Sequence, residues 1–243
     1  MQIIIVIVII LIFYNYIKKH NKQNRSNIIG QKGENKVRRH IGSSVKNKKY
    51  VLNNITIFKN NISTQIDHII INQKGVFVIE TKNHSGQIYG SEDDYNWTQV
   101  LNYGKNKYEL YNPIKQNETH INFLNEIIND RSIIYSIIVF PKAKLYVKST
   151  TPVGNISIIQ KTINESHTVL SVEEINDIYN KILKLKDDNK ELANKHVENL
   201  ERKKVLINQN ICPYCNVDLI RRKGRYGDFY SCPNFPKCSY SKR

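Results

Sequence analysis

Two short stretches of this sequence hold residue types that can act together on a phosphodiester. Gln65-Ile66-Asp67-His68 and Ile79-Glu80-Thr81-Lys82 are separated by Asn72-Gln73-Lys74-Gly75, a turn signal. On a strand, residues two apart share a face, so Glu80 and Lys82 project together while Ile79 and Thr81 face the other way. A hairpin through the turn returns Asp67 toward Glu80. Two carboxylates and an amine then meet on a face that also carries Ile69, Ile71 and Val78. Charges in apolar company need partners, and oxygen ligands of this kind suit Mg2+ or Mn2+. Asp67, Glu80 and the backbone carbonyl of Thr81 would hold the metal, which would acidify a bound water and shield the phosphate. Lys82 would orient or help deprotonate that water and stabilise charge on the pentacovalent transition state. The spacing alone also fits a solvated Glu80–Lys82 pair on an exposed strand with Asp67 in a turn, because Asp-x12-Glu-x-Lys is a loose pattern. His68 and His120 could reach phosphate or metal, but ordinary polar packing is the expected role of each. Trp97 is expected in the core.

A second chemistry lies near the C-terminus. All four cysteines, Cys212, Cys215, Cys232 and Cys238, follow residue 210, in a Cys-x2-Cys and a Cys-x5-Cys pair. Four thiolates in two close pairs suit tetrahedral Zn2+ in a closed, structural site. Their clustering leaves no disulfide framework for the rest of the chain. Arg221, Arg222, Lys223, Arg225, Tyr226, Phe229 and Tyr230 interleave basic and aromatic types around Gly224 and Gly227, and Phe235 lies inside the second pair. The cations can neutralise phosphates and the rings can stack on unpaired bases, so the module is expected to bind nucleic acid. A protein-contact surface built on the same zinc is the alternative.

The rest of the chain must position these groups. With 243 residues and 40% hydrophobic residues there is room for one ordinary core and a small appendage. The net charge of +16 fits a polyanionic partner, although a chain rich throughout in Ile, Asn, Lys and Tyr owes part of that excess to general composition. Residues 1 to 17 are almost wholly apolar, and Lys18, Lys19, Lys22 and Arg25 follow. As a helix this segment would span about 25 Å, slightly short of a bilayer core of roughly 30 Å. With no charge before it and four after, it reads as a single-pass anchor in the cell membrane with everything C-terminal in the cytoplasm. A buried strand or core helix is the alternative.

Beyond a basic tether at 18–29, Val37, Ile41 and Val45 predict a helix from Gly30 to about Tyr50. Strands are expected over 51–58, 65–71, 76–82, 87–90, 133–140 and 155–160. Pro113 opens a helix whose apolar face includes Ile121 and Leu124. Ser171 and Glu174 form a capping box for another. Residues 186–210 read as a charged helical spacer before a zinc module at 211–243. The elements mix without regular alternation, which predicts an α/β fold with a mixed sheet flanked by helices.

The ordered motifs of residues 28 to 130 resemble the nuclease-related domain (NERD) family, a branch of the restriction-endonuclease-like PD-(D/E)XK fold. They comprise Gly30-Gln-Lys-Gly33-Glu34, Gln65-Ile-Asp67-His68, Gly75-Val-Phe-Val-Ile-Glu80-Thr-Lys82-Asn83, Gly86-Gln-Ile-Tyr-Gly90, Trp97, and Asn112-Pro113 with Gln116 and His120. The resemblance implies a domain over 30–185 with Asp67, Glu80 and Lys82 as the active-site trio. It further implies Glu34 as an additional acid near the metal and Gln116 as a polar accessory. Residues 211 to 241 are similar to the C4 zinc fingers of bacterial type IA topoisomerases, which favour single-stranded DNA. A topoisomerase itself is not expected, since 243 residues leave no room for its body and catalytic tyrosine.

The expectation is a membrane-tethered, Mg2+-dependent nuclease acting on nucleic acid, DNA favoured over RNA, with structural Zn2+ and no small-molecule cofactor. The alternatives are a non-catalytic tether that binds DNA or RNA through the same domains, and a structural or regulatory partner-binding protein.

Overall fold

The computed structural model describes residues 24, 27–59, 62–185, 190–224, 227–235, 237–238 and 240–242. The apolar segment 1–17, most of the basic tether, and Arg225 and Tyr226 therefore lie outside the described residues. No helix among those described is long and apolar enough to cross a membrane. The chain forms two compact units, one containing Ile66–Ile182 and the chain up to Ile55, the other containing Thr56–Gln65 and the chain from Leu183 onward.

The first unit is built around β3 (Gly75–Thr81), which is buried along its whole length. It runs antiparallel to β2 (Ile62–Asn72) and parallel to β7 (Ile134–Val139). With β1 (Lys49–Lys59) and β9 (Val153–Gly154) these strands form a sheet in the order β1-β2-β3-β7-β9. The β2–β3 turn closes as the sequence predicts. Asn72 Oδ1 accepts from the Lys74 amide at 2.8 Å, and Gly75 adopts φ +123°. A Cβ there would lie 2.8 Å from the Ile133 carbonyl oxygen, so only glycine fits.

One face of this sheet packs Ile70, Phe77, Ile79, Ile137 and Val139 against Val37 and Ile41 of helix α1 (27–41) and Ile159 of helix α3 (Ile158–Glu165). The other face receives helix α2 (Pro113–Ile128), whose buried Asn117 donates to the Val78 carbonyl at 3.0 Å and to Ser136 Oγ at 2.8 Å. Helix α4 (Val172–Leu185) opens with the expected capping box: Glu174 Oε2 accepts from the Ser171 amide at 2.7 Å and Ser171 Oγ from the Glu174 amide at 3.2 Å.

Two expectations need correction. Helix α1 stops at Ile41 rather than near Tyr50, because Gly42 takes φ +70° and its amide caps back to the Arg38 carbonyl at 3.1 Å. Val45 is exposed and bridges Lys49 instead. Residues 155–160 do not form a strand but lead into helix α3. Asn155 Oδ1 receives the Ser157 amide at 3.0 Å, and Ile156, Ile159 and Ile163 pack on the core at helical spacing. The expected strand at 87–90 does form, within a larger second sheet. There β4 (Gln87–Ser91) lies between β5 (Asn96–Leu101) and β8 (Lys144–Lys148), with β6 (Asn106–Tyr111) beyond β5. Trp97 is wholly buried in it, over Gly90, where a Cβ would overlap the indole.

In the second unit, helix α5 (Lys190–Asn208) occupies the stretch expected as a spacer. The small sheet β10 (Ile220–Gly224), β11 (Gly227–Ser231) and β12 (Ser241–Lys242) follows.

Candidate active site and zinc centre

The charged cluster forms at the C-terminal end of β3. The β2–β3 register pairs His68 with Ile79, which brings Asp67 and Glu80, one step further on, alongside each other. The Thr81 amide donates to Asp67 Oδ2 at 2.8 Å. Glu80 is 2% exposed and both of its oxygens are engaged. Lys82 Nζ lies 2.7 Å from Oε1, and His120 Nε2 lies 3.2 Å from Oε2. Lys82 Nζ also donates to Gln116 Oε1 at 2.7 Å. Gln116 and His120 are one helical turn apart on α2, so a single helix face supplies both. Helix α1 reaches the same end of β3 because Gly33 presses on Asn83, where a Cβ would come within 2.5 Å of the Asn83 Cβ. That approach sets Glu34 within the field of Glu80 and Lys82.

The electrostatics separate the three acids. Burial, then the charge of Glu80, pushes the Asp67 carboxyl well above the usual carboxylate range, against the opposing Thr81 amide. Burial and Glu80 raise Glu34 likewise. For Glu80, burial pushes upward too, but the His120 hydrogen bond and the charge of Lys82 outweigh it and hold this carboxyl below its ordinary value. One acid is thus kept ionised by its partners while two neighbours resist ionisation. Such a set suits a divalent cation, whose charge would relieve the crowding.

The structure brings together all of Asp67, Glu80, Lys82, Glu34 and Gln116, and the backbone of Thr81 joins them through its amide. His120 belongs to the cluster as well, rather than to general packing. The signal for it was its four-residue spacing from Gln116. His68 does behave as expected: it turns to the other side of the sheet, with Nδ1 2.6 Å from Asn53 Oδ1, and burial, then Arg38, lowers it to about 4. Asn112 anchors the whole arrangement. Its buried side chain caps α2 by accepting from the Ile114 amide at 2.9 Å, and it donates to the carbonyls of Ser91, Glu92 and Asp94.

In the second unit the sulfurs of Cys212, Cys215, Cys232 and Cys238 lie within 4.8 Å of one another, and none forms a disulfide. Four thiols so gathered are a zinc-binding site. The Cys212 amide bonds the Val217 carbonyl and the Cys232 amide the Tyr240 carbonyl, each at a turn that aims its sulfur inward. Arg221, Arg222 and Lys223 are exposed along β10, with Arg221 NH2 2.5 Å from Asp228 Oδ2. Phe235 is exposed, Phe229 is half-buried, and the half-buried Tyr230 packs on the cysteine cluster with Lys242 Nζ 5.8 Å from its ring centroid.

Fold and site together define an α/β protein with a buried carboxylate–lysine cluster, followed by a four-cysteine zinc ribbon. The chain carries a nuclease-related domain, matched over residues 29–141, and a topoisomerase DNA binding C4 zinc finger, matched over residues 209–243. An uncharacterized protein of Bacillus anthracis is 34% identical over 208 residues, covering 82% of this chain and 95% of that protein. DNA topoisomerase 1 of Mycoplasmoides gallisepticum is 40% identical over 57 residues, 24% of this chain but 8% of the enzyme. The Campylobacter jejuni topoisomerase is 58% identical over 31 residues, 13% of this chain and 4% of the enzyme. The chain therefore spans less than a tenth of these topoisomerases, and the likeness is confined to the zinc ribbon. No solved structure matches.

Proposed function

We propose that this protein is a metal-dependent nuclease of restriction-endonuclease-like fold, anchored in the cell membrane by residues 1 to 17. The observation that carries the reading is the convergence of Asp67, Glu80 and Lys82 at the end of one buried strand, with Glu34, Gln116 and His120 closing around them. Burying neighbouring carboxyls whose pKa values are pushed in opposite directions, Asp67 up and Glu80 down, is costly for a fold that uses them only for packing.

Asp67 and Glu80 would hold Mg2+ or Mn2+, with Glu34 beside them and the Thr81 carbonyl as a further oxygen. When bound, the metal supplies positive charge at the scissile phosphate and a more acidic water. Lys82, steadied by Gln116 and Glu80, orients the attacking water and stabilises charge on the pentacovalent phosphorus. His120 keeps Glu80 ionised and in place. Water adds to phosphorus in line and the P–O bond opposite it breaks, leaving a hydroxyl and a phosphate monoester.

The zinc ribbon takes no part in that chemistry, because four thiolates leave the metal no open position. Its role is to gather DNA, single strands above all, through Arg221, Arg222, Lys223, Arg225 and the rings of Tyr226, Phe229, Tyr230 and Phe235. The basic cluster after residue 17 supports a cytoplasmic location for both units.

A second reading, a non-catalytic tether that binds DNA or RNA, is favoured by the engagement of both Glu80 oxygens by protein groups. The two readings separate on incubating the full chain with linear, circular and single-stranded DNA, with and without Mg2+ or Mn2+. Metal-dependent strand breakage supports the nuclease. Binding on every substrate without breakage supports the tether.

A further inference from the structure

The second sheet of the first unit presents a face that the carboxylate cluster does not use. Its register sets Tyr89 of β4 beside Tyr146 of β8. Their rings stack with centroids 4.7 Å apart and planes within 4°, while 40% and 42% of the two residues stay exposed. Lys144 Nζ lies 5.3 Å from the Tyr146 centroid, and Lys148 follows on the same face of β8. On the other side of Tyr89 the β5 partner is Thr98, a small residue, and β8 is the edge of the sheet. The outer face of Tyr89 therefore has room for a flat ligand, while Lys144 lies over the outer face of Tyr146.

The surroundings select the ligand class. By the same register, β6 adds Lys107 and Tyr111 to this face. Among its strand residues the face carries three lysines and one acid, Glu109, which is held by Asn96 Nδ2 at 3.1 Å. Its one aliphatic side chain is Val100, so it lacks the apolar surface that a protein partner buries. Apart from Tyr214 in the zinc ribbon, every strongly exposed tyrosine among the described residues lies between positions 89 and 146.

We propose that this face binds single-stranded nucleic acid, its bases continuing the Tyr89–Tyr146 stack and its phosphates meeting Lys107, Lys144 and Lys148. Parallel aromatic rings flanked by ammonium groups are a sequence-tolerant platform for unpaired bases, since every base has a flat face and every linkage a negative charge. The ligand class rests on reading the chain as one that acts on nucleic acid, but the face is separate from Glu80 and needs no divalent metal.

The test uses the full chain without Mg2+ or Mn2+, titrated into labelled oligothymidylate and oligouridylate of equal length, an abasic strand, and a duplex. The Tyr89→Ala/Tyr146→Ala pair should weaken single-strand binding about tenfold or more, while Tyr89→Phe/Tyr146→Phe, which keeps the rings, stays within about twofold. The abasic strand should show no difference between wild type and the alanine pair. The tighter of the two oligonucleotides identifies DNA or RNA as the ligand. Equal binding by wild type and the alanine pair, or equal loss on the abasic strand, overturns the proposal. Cleavage of duplex DNA in Mg2+ by a folded alanine pair would show that this failure does not touch the nuclease reading.

Discussion

His120 Nε2 lies 3.2 Å from Glu80 Oε2, joining helix α2 to the end of the central strand across forty residues of sequence. Glu80 is buried, and this hydrogen bond, with the charge of Lys82, is what holds its carboxyl below the ordinary value. Removing the imidazole leaves burial less opposed, so the Glu80 pKa should rise. Cleavage by His120→Ala should fall about 10- to 100-fold near neutrality. The ascending limb of its pH–rate profile should move to higher pH, because Glu80 ionises later. His120→Gln, which can still donate, should recover part of the rate. An unshifted limb in His120→Ala would mean that the histidine only fills space.

Asp67 and Glu80 are neighbours with opposite electrostatic standing, and substitution should separate them in stability. The Asp67 pKa is raised on folding, so its favourable contribution is complete below the unfolded value and is lost as pH climbs through the folded value. At pH 7.5 without divalent metal, Asp67→Asn should therefore melt a few degrees higher than wild type, roughly the scale of a 1 kcal/mol change. That gap should close on acidification. Glu80 is lowered, so its contribution is present above the unfolded value and is lost as pH falls through the folded one. Glu80→Gln should melt lower at pH 7.5, and its deficit should shrink in acid. Thermal melts of the three proteins across pH check both signs.

Asn112 makes four hydrogen bonds from a fully buried side chain. Asn112→Ala leaves three carbonyls and a helix-cap amide without that partner. The expected cost is about 2–4 kcal/mol in urea unfolding, from the lost cap and the unsatisfied groups. Since α2 carries Gln116 and His120, cleavage should fall in the same variant even where it remains folded.

Zinc removal should act on one unit only. Cys232→Ser should lower zinc content from about one ion per chain, melt the ribbon and weaken single-strand binding. The melting of the nuclease-related domain should be unchanged. Binding that keeps both its affinity and its steep salt dependence after zinc loss would take the ribbon out of the DNA contact.

What the sequence made legible follows period and locality. Asp67, Glu80 and Lys82 could be placed on one face because strand alternation and a four-residue turn set their geometry within a single hairpin. Ser171 and Glu174 were legible for the same local reason. His120 was legible only through its four-residue spacing from Gln116, because its partner Glu80 lies on another element. Strands β5 and β6 escaped because the inward positions of β5 include Gln99, which is buried through its bonds to His84 and the Ser85 carbonyl. A polar residue at a buried position breaks the alternation by which a strand is read. In residues 155–160 the isoleucines suggested a strand, while the Asn155 turn and the packing of Ile159 made a helix.

The most direct measurement compares DNA strand breakage by the full chain and by Glu80→Gln, in Mg2+ and without it, with DNA binding measured on the same samples. Wild type should cut only with the metal, and Glu80→Gln should lose about 100- to 1,000-fold in rate while binding DNA as before. Metal-independent cutting, or an undiminished rate in Glu80→Gln, would contradict the assignment of this carboxylate cluster as a nuclease active site.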